Sequence, residues 1–295
     1  MTRFGYDEFG LFHENIAEFA LPASVRPVVS RVATPLADGR HVSALKWGTS
    51  EPRLVLVHGG GQNAHTWDTV ALALGIDLLA VDLPGHGHSA WSENGEYSLD
   101  SMADEVAAAI SHHAPNADLV VGMSLGGLTS LKMASRHSHL VRNLMLVDIT
   151  PGVTPTKVKA VTDFINGPQT FPSFDELLRR TVEHNPTRSE SSLRRGILHN
   201  AKQLDDGSWQ WRYDRRQPHG GRDQVASSEL WSTVEGLSCS ITLVRGALSP
   251  VVDDDDVAEL IRRRPTAAVH VVDGAGHSVQ GDRPLELTEI LRALL

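Results

Sequence analysis

Ser124 stands in Gly122-Met123-Ser124-Leu125-Gly126, directly after an apolar run at 119–121 and before a stretch with helical spacing. A serine hydroxyl is a weak nucleophile until a base removes its proton, and a sharp strand-to-helix turn pushes it out to where a base can reach it. Gly122 and Gly126 suit such a turn, because side chains there are expected to collide across it. The pentapeptide alone is weak evidence, since G-x-S-x-G arises by chance in a chain of this length with a probability of about 0.1. Its position between a strand and a helix gives it weight.

The base expected to serve Ser124 is His277, one of 15 histidines, in Gly274-Ala275-Gly276-His277-Ser278. It follows the last apolar run and lies downstream of the serine, as the order serine, acid, histidine requires. An imidazole titrating near neutrality suits both removal and return of a proton. His58-Gly59-Gly60-Gly61 closes an earlier strand, and the N–H of Gly60 together with that of Leu125 would form an oxyanion hole. No Gly-Lys-Ser/Thr follows the glycines, which argues against a phosphate loop. His86 and His88, in Pro84-Gly85-His86-Gly87-His88, are expected to shape a turn.

The acid has two candidates. A Gly-x-x-Asp turn is the usual place after the strand at 241–244, but Gly246-Ala247-Leu248-Ser249 has serine there. Asp148 ends the strand at 144–147, from where a carboxylate can reach the outer nitrogen of His277. Asp253 is the alternative, although Asp253 to Asp256, with Arg262 to Arg264 at the far end, also describe a helix whose charges complement its dipole. Asp148 is therefore the expected acid, with Ser249 as a support that hydrogen-bonds either the carboxylate or the histidine.

The elements that must position these residues are continuous apolar runs at 42–47, 54–57, 78–81, 119–121, 144–147, 241–244 and 269–272. Runs without alternation belong to strands covered on both faces, and helical stretches between them imply right-handed βαβ units. The predicted fold class is α/β, a mostly parallel sheet flanked by helices. The rhythm breaks between 151 and 237, where no strand is evident and Phe164, Phe171, Leu177, Leu178 and Val182 fit short amphipathic helices. Residues 1–150 and 238–295 are thus expected to form the core, and 151–237 an inserted helical cap over the carboxyl ends of the sheet. Phe164, Phe171, Trp209 and Trp211 are its candidate pocket-lining residues.

Composition narrows the function classes. A net charge of −9 gives no basic footprint for nucleic acid or anionic membranes. The single cysteine, Cys239, cannot make an internal disulfide and is expected to be core. No apolar run reaches the roughly 18 residues of a membrane span, and residues 1–12 lack a signal-peptide core, so a cytoplasmic location is expected. No metal or cofactor is expected. The partner expected is a small ester, and oligomeric state stays open.

The strings HGGGQNAHTWD, AVDLPGHGHSAW, VVGMSLGGLTSL, LVDITP and GAGHSV resemble the α/β-hydrolase superfamily over most of the chain. With GSWQWRYD in the insertion they closely resemble actinobacterial, mycobacterial-type serine ester hydrolases with a helical cap. That resemblance implies hydrolysis of short to medium acyl esters and places the acid on the strand after the nucleophile, at Asp148. Thioesterase, lactonase and carbon–carbon bond hydrolase chemistry share the same machinery. A ligand-binding or signalling protein on this fold, or a cofactor-free peroxidase or oxygenase, are readings from other classes. Turnover that depends on Ser124 separates the hydrolases from all of these.

Overall fold

Runs such as Leu54-Val55-Leu56-Val57 have no solvent-facing side, and a strand made of them is stable only inside a sheet covered on both faces. The computed structural model describes residues 5–22, 27–185, 188–215 and 227–295. In chain order the elements begin with helix α1 (Phe12–Glu18) and strands β1 (Val29–Pro35), β2 (His41–Trp47) and β3 (Leu54–Val57). Then follow α2 (Asp68–Leu74), β4 (Leu78–Val81), α3 (Leu99–His113), β5 (Leu119–Met123), α4 (Leu125–Arg136) and β6 (Asn143–Val147). The insertion contributes α5 (Lys159–Ile165), β7 (Thr170–Phe171), α6 (Phe174–His184), α7 (Glu190–Asn200), β8 (Ala201–Gln203), β9 (Trp209–Trp211) and α8 (Ser227–Gly236). The chain closes with β10 (Ser240–Gly246), α9 (Asp254–Arg263), β11 (Ala268–Val272), α10 (Val279–Asp282) and α11 (Pro284–Leu294).

The main sheet has eight strands in the order β1-β2-β4-β3-β5-β6-β10-β11. β2 runs antiparallel to both neighbours, and β4, β3, β5, β6, β10 and β11 are parallel. Alternate residues feed two cores. Val55, Val57, Val120, Leu144 and Leu243 pack with α3, α4 and α8 on one face. Leu54, Leu56, Val121, Met145 and Val244 pack with α2 and α11 on the other. Because β3, β5, β6, β10 and β11 are neighbours and parallel, the loops that leave their carboxyl ends share one edge. Cys239 is buried and free. No helix of the described residues is long and apolar enough to cross a membrane.

The sheet is mostly parallel and flanked by helices, as expected, but two parts differ from the sequence reading. β1, which precedes the first apolar run, is an edge strand whose residues are exposed or half-exposed except Thr34, closed by Pro35, a setting that erases the continuous apolar signature of central strands. The insertion is not purely helical: β7, β9 and β8 form a small antiparallel sheet. Strands of two or three residues are too short for a clear period, yet Trp209-Gln210-Trp211 does alternate, both tryptophans buried and the glutamine half-exposed. These strands and α5 to α7 share a core of their own around Ile165, Phe171, Leu177, Ile197 and Trp209. α8 instead puts Leu230, Trp231 and Val234 into the core beside α4.

Candidate active site

Ser124 sits between β5 and α4 with φ 50° and ψ −118°, a backbone conformation rare for a residue with a Cβ. The turn survives because its flanks have no side chains. A Cβ on Gly122 would come within 2.5 Å of the Gly126 carbonyl oxygen, across the turn as expected. A Cβ on Gly126 would meet something else: the Val57 and His58 carbonyl oxygens at 2.4 Å, at the end of the neighbouring strand β3. Gly126 therefore allows helix α4 to lie against β3, and Gly122 allows the turn itself.

Asp148, His277 and Ser124 form one hydrogen-bonded line. His277 Nε2 is 3.1 Å from Ser124 Oγ, and His277 Nδ1 is 2.7 Å from Asp148 Oδ2. The tautomer that satisfies all three has Nδ1–H donating to the carboxylate and Nε2 accepting from the hydroxyl. Asp148 is fully buried, and like Ser124 it has positive φ, 51°. Its Oδ1 accepts the Gly246 N–H at 3.0 Å, and its Oδ2 also accepts the Ser249 hydroxyl. Ser249 thus occupies the turn where aspartate is usual and holds the carboxylate that follows β6 instead. The two turns approach closely: a Cβ on Gly246 would lie 2.2 Å from the Gly276 carbonyl oxygen, next to His277.

Asp253 has other work. It caps α9, its side chain accepting the Asp256 N–H at 3.0 Å while Asp256 accepts the Asp253 N–H, and it pairs with Lys157 at 2.8 Å. Hydrogen bonding to Lys157 and the Asp256 N–H lowers its carboxyl to about 2.

The glycine loop after β3 is braced by a residue whose role was not evident from sequence. His58 Nδ1–H donates to the Gly59 carbonyl at 2.7 Å, and its Nε2 accepts the Leu83 N–H at 2.9 Å. Burial lowers the pKa of this histidine despite the nearby Asp82 carboxylate, in keeping with a neutral ring. The Gly59 carbonyl and the Gly60 N–H belong to one planar peptide, so fixing the oxygen fixes the direction of the hydrogen. A Cβ on Gly60 would fall 3.9 Å from that of Leu125, which places the two expected oxyanion donors on adjoining backbone. The Leu125 N–H opens α4, where a helix leaves its first donors without intrahelical acceptors.

Ser124 and His277 open onto a cavity of about 550 Å³. Phe164 and Trp211 border it, whereas Phe171 and Trp209 are buried in the insertion's own core, Phe171 edge-on to Trp211 and Trp209 edge-on to Phe174. At the cavity wall His65, Asp68 and His199 bring potential metal-ligating atoms within 4.8 Å of one another. The two imidazoles stack at 3.8 Å and 10°, so their in-plane lone pairs run in parallel planes and cannot converge on one ion at about 2 Å. The cluster is a hydrogen-bond network instead. His65 bonds Asp68 at 2.9 Å and Glu8 at 3.2 Å, and His199 bonds the Tyr6 hydroxyl at 2.7 Å.

A serine in a strained turn after β5, a buried aspartate after β6 and a histidine after β11 meet at one edge of the sheet, and the chain belongs to the α/β-hydrolase fold family, whose model matches residues 52–284. Among known proteins it is similar to Esterase Rv0045c of Mycobacterium tuberculosis, 46% identical over 298 residues that cover 99% of this chain and 96% of that one. A crystal structure of that esterase matches with a TM-score of 0.86 at 44% identity, covering 99% of each chain. A pimeloyl-[acyl-carrier protein] methyl ester esterase of Aeromonas hydrophila is 28% identical over 266 residues, 85% of this chain and 97% of its own.

Proposed function

We propose that the chain is a serine carboxylic-ester hydrolase acting on short to medium acyl esters, with Ser124 as nucleophile, His277 as general base and Asp148 as the acid. The observation that carries this reading is the unbroken line Ser124 Oγ, His277, Asp148 at the cavity. His277 Nε2 takes the hydroxyl proton as Ser124 attacks the ester carbonyl, and the Gly60 and Leu125 N–H groups receive the oxyanion. The imidazolium then gives the proton to the departing alcohol, leaving an acyl-serine that water hydrolyses with His277 again as base. Asp148 holds the ring in the productive tautomer and balances its charge, with Ser249 orienting the carboxylate.

Within 151–237, α5 to α7 and β7 to β9, which share a core of their own, act as the cap in this reading, Phe164 and Trp211 offering apolar surface to the substrate. A cavity of about 550 Å³ is within the range of small-molecule sites. The similarity to the mycobacterial esterase supports the same reaction class. Hydrolysis of 4-nitrophenyl esters from acetate to decanoate by the wild type and Ser124→Ala tests the reading. Turnover is expected, fastest at short to medium chains, with kcat falling at least about 10³-fold in Ser124→Ala. No ester turned over, or a rate that survives the substitution, contradicts it.

A further inference from the structure

The cavity that Ser124 and His277 open onto also holds a cation that the acyl-transfer chemistry does not use. Arg188, just before α7, lines it. Its Nη2 donates to the Ser192 hydroxyl at 2.7 Å, while its Nε is buried with no hydrogen-bond acceptor. Among the described residues no carboxylate lies within ion-pair distance of this guanidinium. The contrast with Arg195, two turns along and lining the same cavity, is direct, because Arg195 pairs with Glu18 and Glu14. Asp282 is the main favourable charge felt by Arg188. The two form no ion pair, so Asp282, one of whose carboxylate oxygens accepts the Gly276 N–H at 2.8 Å, acts on Arg188 through its charge alone.

An arginine cannot escape desolvation by losing its proton. Arg188 is half-buried as a whole, but its Nε is sealed from solvent without an acceptor, and a desolvated donor on a cation with no counter-charge beside it costs free energy that a ligand's anion would recover. Burial accordingly outweighs the pull of Asp282 and lowers its proton affinity. The neighbouring backbone leaves room for the group: a Cβ on Gly281 would stand 2.9 Å from the Arg188 Cζ. Gly281 lines the same cavity four residues after His277, which puts the guanidinium beside α10, the short helix that follows the candidate base. A planar fork of N–H donors matches a carboxylate in two-point contact.

We infer that Arg188 is the anion-recognition residue of this cavity and that the ester hydrolysed here carries a carboxylate remote from the scissile bond, as a half-ester of a dicarboxylic acid does. This inference rests on the ester-hydrolase reading above, and its test separates the two. Kinetics are compared for two pairs of esters. One pair is mono-4-nitrophenyl adipate and 4-nitrophenyl hexanoate, with the carboxylate on the acyl side. The other is 4-carboxyphenyl hexanoate and phenyl hexanoate, with it on the alcohol side. The wild type is expected to favour the carboxylate member of at least one pair in kcat/KM, and Arg188→Met to reduce that ratio about 10- to 100-fold, mainly through KM. Arg188→Lys, which keeps the charge without the fork, is expected to fall between, and it carries the test should Arg188→Met fail to fold. Adipate binding to the Ser124→Ala protein, measured by calorimetry, is expected to weaken by a similar factor when Arg188→Met is added. If no ester turns over but adipate binding still depends on Arg188, the hydrolase reading fails and the anion site stands. If esters turn over with no carboxylate preference, or with one that Arg188→Met leaves intact, the inference is overturned.

Discussion

Asp148 and Asp253 offered the same functional group to His277, and environment separates them. Asp148 is buried and bonded to His277, Gly246 and Ser249, whereas Asp253 is spent on a helix cap and on Lys157. Asp148→Asn is expected to lower kcat about 10²- to 10⁴-fold by favouring the wrong tautomer. Asp253→Asn is expected to leave kcat near wild type, with at most about 1 kcal/mol of stability lost at the cap, and ester kinetics beside thermal melts will read both. A larger loss at Asp253 than at Asp148 would reverse the assignment. His58→Ala frees the Gly59–Gly60 peptide, so kcat is expected to fall about 10- to 100-fold with little change in KM. An equal rise in KM would argue that His58 shapes the pocket and not the oxyanion donor. Ser124, His277 and Asp148 could be singled out in the sequence because Ser124 and Asp148 directly follow strands that an apolar run betrays and His277 stands in the turn after another. His58 and Arg188 could not, since which groups a histidine's nitrogens bond and whether an arginine meets a carboxylate are fixed by residues far along the chain.

At the scale of elements, the site depends on how closely helix α4 and strands β3, β5, β6 and β10 approach one another. Two glycines separate steric from conformational demand. Gly75 ends α2 with φ 64° and open space around it, so Gly75→Ala is expected to cost about 1 kcal/mol. Gly126 faces the Val57 and His58 carbonyl oxygens, so Gly126→Ala must push α4 off β3, with an expected loss of several kcal/mol and a displaced Ser124. Chemical denaturation of the two variants checks the order, and a Gly126→Ala protein as stable as Gly75→Ala would contradict the packing argument. The central strands were evident in the sequence because burial on both faces leaves an uninterrupted apolar signature. The edge strand β1 and the strands of the insertion were not, one being half-solvated and the others only two or three residues long.

For the molecule as a whole, one polar network ties the N-terminal segment, the sheet and the insertion together. Arg31 on β1 pairs with Glu8 and with Asp82 beyond β4, while His65 bonds Glu8 and Asp68 and stacks on His199 from α7. Burial opposes an imidazolium at His65, but the Asp68 charge and hydrogen bonds to Asp68 and Glu8 outweigh it and hold His65 up to about 9. Burial and the neighbouring His65 charge push His199 the other way, well below its ordinary value. Since His65 binds its proton more tightly folded than unfolded, its contribution is complete below its ordinary value of 6.5 and is lost as pH rises through about 9. Tm is therefore expected to drop by on the order of a few degrees between pH 6.5 and 9.5, and His65→Gln to flatten that decline. A steeper alkaline decline in the variant would refute the network's role. Nothing in the spacing of Glu8, Arg31, His65 and His199 announces this network, because it exists only once the insertion lies against the sheet edge.

The central claim is that Ser124 becomes acylated, and intact-mass spectrometry after treatment with a fluorophosphonate tests it most directly. A single adduct is expected, mapped by digestion to the peptide containing Ser124, absent in Ser124→Ala and formed far more slowly in His277→Gln. An adduct that persists in Ser124→Ala, or a wild-type protein that stays unmodified, would contradict the account.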